Sequence, residues 1–225
     1  MKKWLIVLLS ICSLYLNCCF NNSQDVTPLS NLSTTTEKET IVNRFFFQNN
    51  ESRVRYKLRL TPAIPSIPNE VDLLITKVSN FENGTLYELR IDCSEDFPCR
   101  NYPERDRFHL GYFYVQKDRI LMIRKPNINL GNLKTGADIL NNKYTIVCHD
   151  EGMEDKLEKN EKGWHERILI NGNKREYYLS NTQVETGYYE RFIWEEGKGL
   201  VEYKSGLGAE SCDIWLQNIA IKQDS

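Results

Sequence analysis

Between Arg53 and Leu60 the chain alternates cation and apolar side chain without a break, Arg-Val-Arg-Tyr-Lys-Leu-Arg-Leu. A period of two puts every second side chain on one face of an extended strand, whereas a helix would scatter both classes around its circumference. A strand of this kind is half-buried and needs partners. The chain supplies them as short runs rich in β-branched and aromatic residues, separated by turn signals: 71–78, 85–93, 107–116, 119–125, 143–148, 164–170, 174–179, 188–194, 200–204 and 212–219. Lys117-Asp118 joins two runs directly, and Asn171-Gly172-Asn173 is a hairpin signal because Asn-Gly accepts positive φ at both central positions. The prolines of 61–68 withhold ladder hydrogen bonds, so that stretch is a loop or edge segment after the first strand. Residues 126–142 leave room for one short helical turn, and the charged, glycine-containing stretch 149–163 reads as a solvated loop. Neither a repeat nor a second change of composition interrupts the pattern. It predicts an all-β fold over 41–225, a single antiparallel meander sheet curled as a partial barrel or folded as a sandwich.

What precedes this domain is different in kind. Lys2 and Lys3 lead into the apolar run from Trp4 to Leu16, which is shorter than the roughly 20 residues needed to cross a bilayer, so residues 1–19 read as a signal peptide. The run ends in Asn17-Cys18-Cys19 in place of a small-x-small cleavage site. That ending resembles a degenerate bacterial lipoprotein box, which has a Leu three before the lipidated Cys and a small residue immediately before it. Leu16 and Cys18 fit those places best with Cys19 as acceptor; Cys18 is the alternative, with Tyr15 and Asn17 in the same places. Residues 20–40 are polar and low in complexity, the composition of a flexible tether. The resemblance implies export, a lipid anchor in the cell membrane and an extracytoplasmic domain; full secretion is the alternative.

Seven cysteines are present. With Cys12 in the signal and Cys18 and Cys19 assigned to processing, Cys93, Cys99, Cys148 and Cys212 remain, enough for two disulfides in an oxidising compartment. Three pairings are open. In the one that joins Cys93 to Cys99, Cys148 staples the distant Cys212, a closure worth about 4 kcal/mol in the chain-entropy model against about 2 kcal/mol for the short loop. Zinc sites usually take cysteines in close pairs, and no such pair occurs among these four, so no metal is expected. The formal net charge of −2 gives no footprint for nucleic acid.

Catalytic constellations are equally sparse. Cys148-His149-Asp150 invites comparison with an activated thiol, but neighbours on a strand point to opposite faces. His109, His149 and His165 are scattered, and Trp164-His165-Glu166 again divides its polar pair between two faces. Glu95-Asp96 and Glu195-Glu196 read as solvated surface. The glycines of 197–208 lack the strand-to-helix context and the Lys-Ser/Thr ending of a phosphate loop, and mark turns instead. The segment Phe192-Ile-Trp-Glu-Glu-Gly-Lys-Gly-Leu-Val-Glu-Tyr-Lys-Ser-Gly-Leu-Gly-Ala209 resembles the C-terminal hairpin of uncharacterised secreted lipoproteins of Gram-positive bacteria. The resemblance implies a fold class and a compartment and transfers no site residue.

Two surfaces could bind. Arg53, Arg55, Lys57 and Arg59 share one face of their strand, opposite Val54, Tyr56, Leu58 and Leu60, and a cationic stripe of this kind suits anionic head groups or wall polymers. Phe108, Tyr112 and Tyr114 with Phe113 opposite, and then Tyr177-Tyr178, Tyr188-Tyr189, Phe192 and Trp194, could line a curled sheet that holds an amphiphile. The sequence thus predicts an exported, lipid-anchored surface protein without a cofactor, in a non-catalytic binding or accessory role. Its partners would be the membrane through the anchor and an extracellular protein, wall polymer or amphiphilic ligand. An extracytoplasmic hydrolase, or a carrier of a lipid or small amphiphile in a half-barrel, are the alternatives.

Overall fold

The computed structural model describes residues 42–48, 51–92, 108–157, 163–181, 187–207 and 213–219, without the side chains of 155–157. Twelve strands occur among them: β1 (Arg53–Thr61), β2 (Glu70–Phe81), β3 (Gly84–Ile91), β4 (His109–Val115), β5 (Arg119–Ile123), β6 (Thr145–His149), β7 (Met153–Leu157), β8 (Trp164–Asn171), β9 (Lys174–Asn181), β10 (Tyr188–Glu195), β11 (Gly199–Leu207) and β12 (Asp213–Asn218). All pair antiparallel in one sheet of order β6-β5-β4-β3-β2-β1-β12-β11-β10-β9-β8-β7. The first six strands meander away from β1, and the last six meander back to it, so that β12 pairs with β1, Leu58 opposite Leu216.

The two free edges, β6 and β7, are consecutive in the chain. Twist coils a sheet of this length, and β6 comes to pack against β9 and β8, which nearly closes a barrel. Of the two architectures the sequence allows, this is the barrel. The stretch 149–163, expected to be a solvated loop, contains β7. Among the described residues its ladder partner is β8, in a register of Met153 with Ile168 and Leu157 with His165. An edge strand tolerates the charges of Met-Glu-Asp-Lys-Leu because one of its sides needs no partner, and such charges also discourage edge-to-edge association.

Alternation sorts the side chains onto two faces. Inward-facing Tyr56, Leu58, Leu73, Ile75, Leu89, Phe113, Met122, Phe192, Trp194, Tyr203 and Leu216 belong to one continuous core. The outer face of β3, β4 and β5 is apolar too, with Leu86, Tyr112, Tyr114, Leu121 and Ile123, and it is covered by the excursion between β5 and β6. That excursion holds the expected helical turn, α1 (Gly136–Leu140), whose Ile139 is buried in this second cluster. Thr135 caps it in a capping box with Asp138, and the backbone N–H groups of Lys134 and Thr135 hold the Asp138 carboxyl below the usual range.

One end of the barrel is sealed by the segment before β1. Phe45, Phe46 and Phe47 are all buried there, Phe46 against Tyr87 and Trp194 and Phe47 edge-on to Trp194. Asn43 donates through Nδ2 to the carbonyl of Gln116 at 2.7 Å, in the β4–β5 connection. Gly197 in the β10–β11 turn donates to the Arg44 carbonyl at 2.9 Å. Arg175 closes the same end: its guanidinium stands 4.6 Å from the Phe45 ring and donates to the carbonyls of His149, Asp150, Gly172 and Lys174. Gly199, at φ +78°, lies directly under the Phe47 ring, where any side chain would collide.

Candidate binding site at the end of the barrel opposite the phenylalanine plug

The opposite end departs from an apolar interior. Glu190 on β10 faces inward, two residues before Phe192 on the same face, and its side chain is 1% exposed. Arg124, the first residue after β5, reaches across to it and engages both carboxylate oxygens. The Tyr203 hydroxyl donates to Glu190 Oε1 at 3.1 Å, and Arg124 also donates to the Tyr188 hydroxyl at 3.3 Å and to the Leu110 carbonyl at 3.4 Å. Burial alone would lower the Arg124 pKa. Glu190, with the hydroxyls of Tyr188 and Tyr203, more than offsets it, so the guanidinium stands well above its usual value.

A second carboxylate joins from β8. Tyr177 donates to Glu166 Oε1 at 3.1 Å. Burial, first of all, and then the charges of Glu166 and Glu190 push the Tyr177 hydroxyl far up, so it remains a neutral donor. Trp164, two residues before Glu166 on the same strand face, lies 6.0 Å from Tyr188 centroid to centroid. The constellation is therefore two carboxylates, one guanidinium, three tyrosine hydroxyls and an indole. Glu190, Tyr177 and Tyr203 are buried, while Trp164, Glu166 and Tyr188 are half-buried and the Arg124 side chain is 25% exposed.

The sequence-predicted residues are distributed otherwise. Arg53, Arg55, Lys57 and Arg59 do share the exposed face of β1. Arg53 and Arg55 both pair with Asp72 on β2, at 2.9 and 3.0 Å, and reach Asp92 and Glu70 as well. The hydrogen bond from Arg55, and then that from Arg53, hold the Asp72 carboxyl below its ordinary range. Arg59 and Lys204 both stand over the Trp215 ring, at 4.5 and 4.4 Å. Much of the stripe is thus neutralised across strands, a cross-strand pattern that single-strand periodicity does not contain.

Cys148 is a free thiol, fully buried, facing inward beside Ile120. No disulfide is seen at Cys148, which is packed as a core residue, and its expected partner Cys212 lies outside the described residues. Burial pushes its thiol far up, the reverse of what a nucleophile requires. His149 faces away, with Nδ1 accepting from the Glu151 N–H at 3.1 Å. Cys18, Cys19, Cys93, Cys99 and Cys212 lie outside the described residues, as do the expected signal and tether. Among the described residues no group of three or more His, Cys, Asp or Glu side chains could hold a metal ion, and no helix is long and apolar enough to cross a membrane.

Of the expected aromatic surface, Tyr177, Tyr188, Phe192 and Trp194 face inward, whereas Tyr112 and Tyr114 pack under the excursion after β5. Sequence reasoning missed Arg124 and Glu190. The available signal was parity: Glu190 falls on the inward positions of Tyr188, Phe192 and Trp194, and Arg124 follows the inward Ile120 and Met122. Comparison with protein-family models, curated proteins and solved structures finds no match.

Proposed function

We propose that this chain is an exported, lipid-anchored surface protein with a non-catalytic binding role, and that its ligand, a small amphiphile, is taken at the end of the barrel that carries Arg124 and Glu190. The supporting observation is the convergence of Arg124, Glu190, Glu166 and three tyrosines on one end of an otherwise apolar interior. Replacing a buried ion pair by apolar side chains is often neutral or stabilising, so packing alone does not account for these groups. The mouths of β-barrels are also common ligand sites, an apolar body meeting a few polar anchors. Glu190 is held on both oxygens by Arg124, an arrangement suited to orienting a ligand and poorly suited to proton transfer, which sets this reading ahead of the hydrolase.

Two measurements test it. The mature amino terminus, determined by mass spectrometry, is expected to be an acylated Cys19; an unmodified terminus would contradict the anchor. Trp164 emission is expected to change on titration with small amphiphiles, with the change lost in Trp164→Phe. An emission insensitive to cationic, anionic and neutral amphiphiles alike would contradict the binding role.

A further inference from the structure

Resting on the lipid-anchored part of that reading, we infer that the strap between β5 and β6 is a second membrane contact, which docks on anionic head groups beside the anchor. Residues 125–144 carry Lys125, Lys134 and Lys143 and a single acid, Asp138, in a chain whose net charge is −2. Asp138 is taken up inside its capping box by the N–H groups of Lys134 and Thr135 and by the Thr135 hydroxyl. The three lysines are exposed and make no ion pair among the described residues. On the barrel wall, by contrast, Arg53 and Arg55 are answered by Asp72, and Arg191 by Glu176 and Glu202. The strap leaves its positive charge unanswered.

Its inner side is committed to the second cluster, where Ile139 is buried and Ile128 and Leu133 pack against it. Its outer side still shows Leu130, Leu140 and Tyr144, 39%, 43% and 41% exposed. Lysines beside leucines and a tyrosine suit the head-group layer of a bilayer: ammonium groups meet lipid phosphates, leucines reach the acyl boundary, and a tyrosine ring sits between the two. A protein partner fits less well, because interfaces between proteins are depleted in lysine. The strap also lies where the anchor can bring it. Gly136 packs on Tyr114 and Phe81, at the ends of β4 and β2, and Asn43 is bonded to the Gln116 carbonyl in the β4–β5 connection that follows Tyr114. The chain thus enters the domain at the end where the strap meets β2 and β4, with Val42 62% exposed. In the β2–β3 and β4–β5 connections Asp118 faces Arg119 at 3.4 Å and Lys117 is exposed, which leaves Glu82 as the one carboxylate there without a cation among the described residues. The 22 residues of 20–41, read as a flexible tether, span roughly 25 Å, enough for Cys19 and the strap to meet one surface.

The test uses the full-length protein with vesicles of phosphatidylcholine alone and with vesicles that also contain phosphatidylglycerol, read by flotation and by amide hydrogen exchange. Flotation with phosphatidylcholine reports the anchor. On the phosphatidylglycerol vesicles, exchange across 128–144 is expected to be slower by about fivefold or more than on phosphatidylcholine, the weight of one lysine at an anionic surface, and to recover in high salt. Lys134→Glu and Leu140→Ser should each remove most of that slowing. Leu169→Ser, an equally exposed leucine on β8, should leave it intact. All three positions are at the surface, and circular dichroism establishes that each variant is folded. Slowing that is equal on the two lipids, or indifferent to both strap variants, would overturn the inference and leave the anchor standing. Slowing without vesicles that grows with protein concentration would assign the strap to self-association and overturn the inference as well. Flotation with phosphatidylglycerol only, with the strap protected, would overturn the anchor and leave the strap contact standing. Flotation with neither would overturn both.

Discussion

Glu190 concentrates the tension between stability and use in this molecule. Its carboxylate is buried with one cationic partner, and removing one member of such a pair strands the other. Glu190→Ala is expected to lose about 3 kcal/mol in urea unfolding, while Glu190→Leu combined with Arg124→Met recovers most of that loss, because the apolar pair removes both charges together. Cys148 shows the opposite case of a residue whose chemistry is suppressed. With its thiol buried and its ionisation pushed far up, iodoacetamide at pH 8 is expected to leave Cys148 unmodified in the native protein and to alkylate it in urea, as read by peptide mapping. A Cys148–Cys212 peptide under non-reducing conditions would contradict the free thiol. Glu195 gives the acid limb of stability. Burial alone would raise its pKa, but Lys198 and Lys174 bring it below the usual value. A depressed carboxylate stabilises the fold above its unfolded pKa, near 4.3, and loses that contribution as the pH falls through the lower folded value. Glu195→Gln should therefore flatten the loss of stability below about pH 4 in acid titrations.

At the scale of elements, the sequence reported strands well because alternation and turn chemistry are local. Eleven of the twelve strands fall where period-two runs were read, and the Asn171-Gly172-Asn173 hairpin is present with Gly172 at φ +56°. The twelfth, β7, escaped because an edge strand pairs on one side only, and its charges are those of a loop. The plug escaped for another reason: Phe45-Phe46-Phe47 has no period, and the segment is tied to turns far away in the chain, Asn43 to Gln116 and Arg44 to Gly197. Closure of the seam likewise draws on a long-range residue, Arg175. Arg175→Met should leave the carbonyls of His149, Asp150 and Gly172 without their donor, and is expected to cost about 2–3 kcal/mol and to accelerate amide exchange in β6 and β7 before the rest of the sheet. Phe46→Ala, which empties the centre of the plug, is expected to cost about 3–5 kcal/mol.

The whole molecule is a meander bent so that the two strands adjoining the middle of the chain, β6 and β7, become its edges and the two ends of the sheet sequence, β1 and β12, its centre. That arrangement gathers the turns β4–β5, β6–β7, β8–β9 and β10–β11 at the plugged end and leaves Arg124, Glu166, Tyr188 and Glu190 at the other. The sequence made the cationic face of β1 legible and hid its neutralisation by Asp72, since the partner lies on another strand. It also showed the tyrosines without showing that carboxylates share their face. The central claim is that the end carrying Arg124 and Glu190 binds and the end sealed by Phe45, Phe46 and Phe47 does not. Mapping amide chemical shifts during titration with cationic and anionic aryl probes tests this most directly. Perturbations are expected at residues 124, 164–166, 177, 188–190 and 203–207 and not at 43–47 or 171–175; perturbations centred on the plug or on the outer face of β1, or none at all, would contradict it.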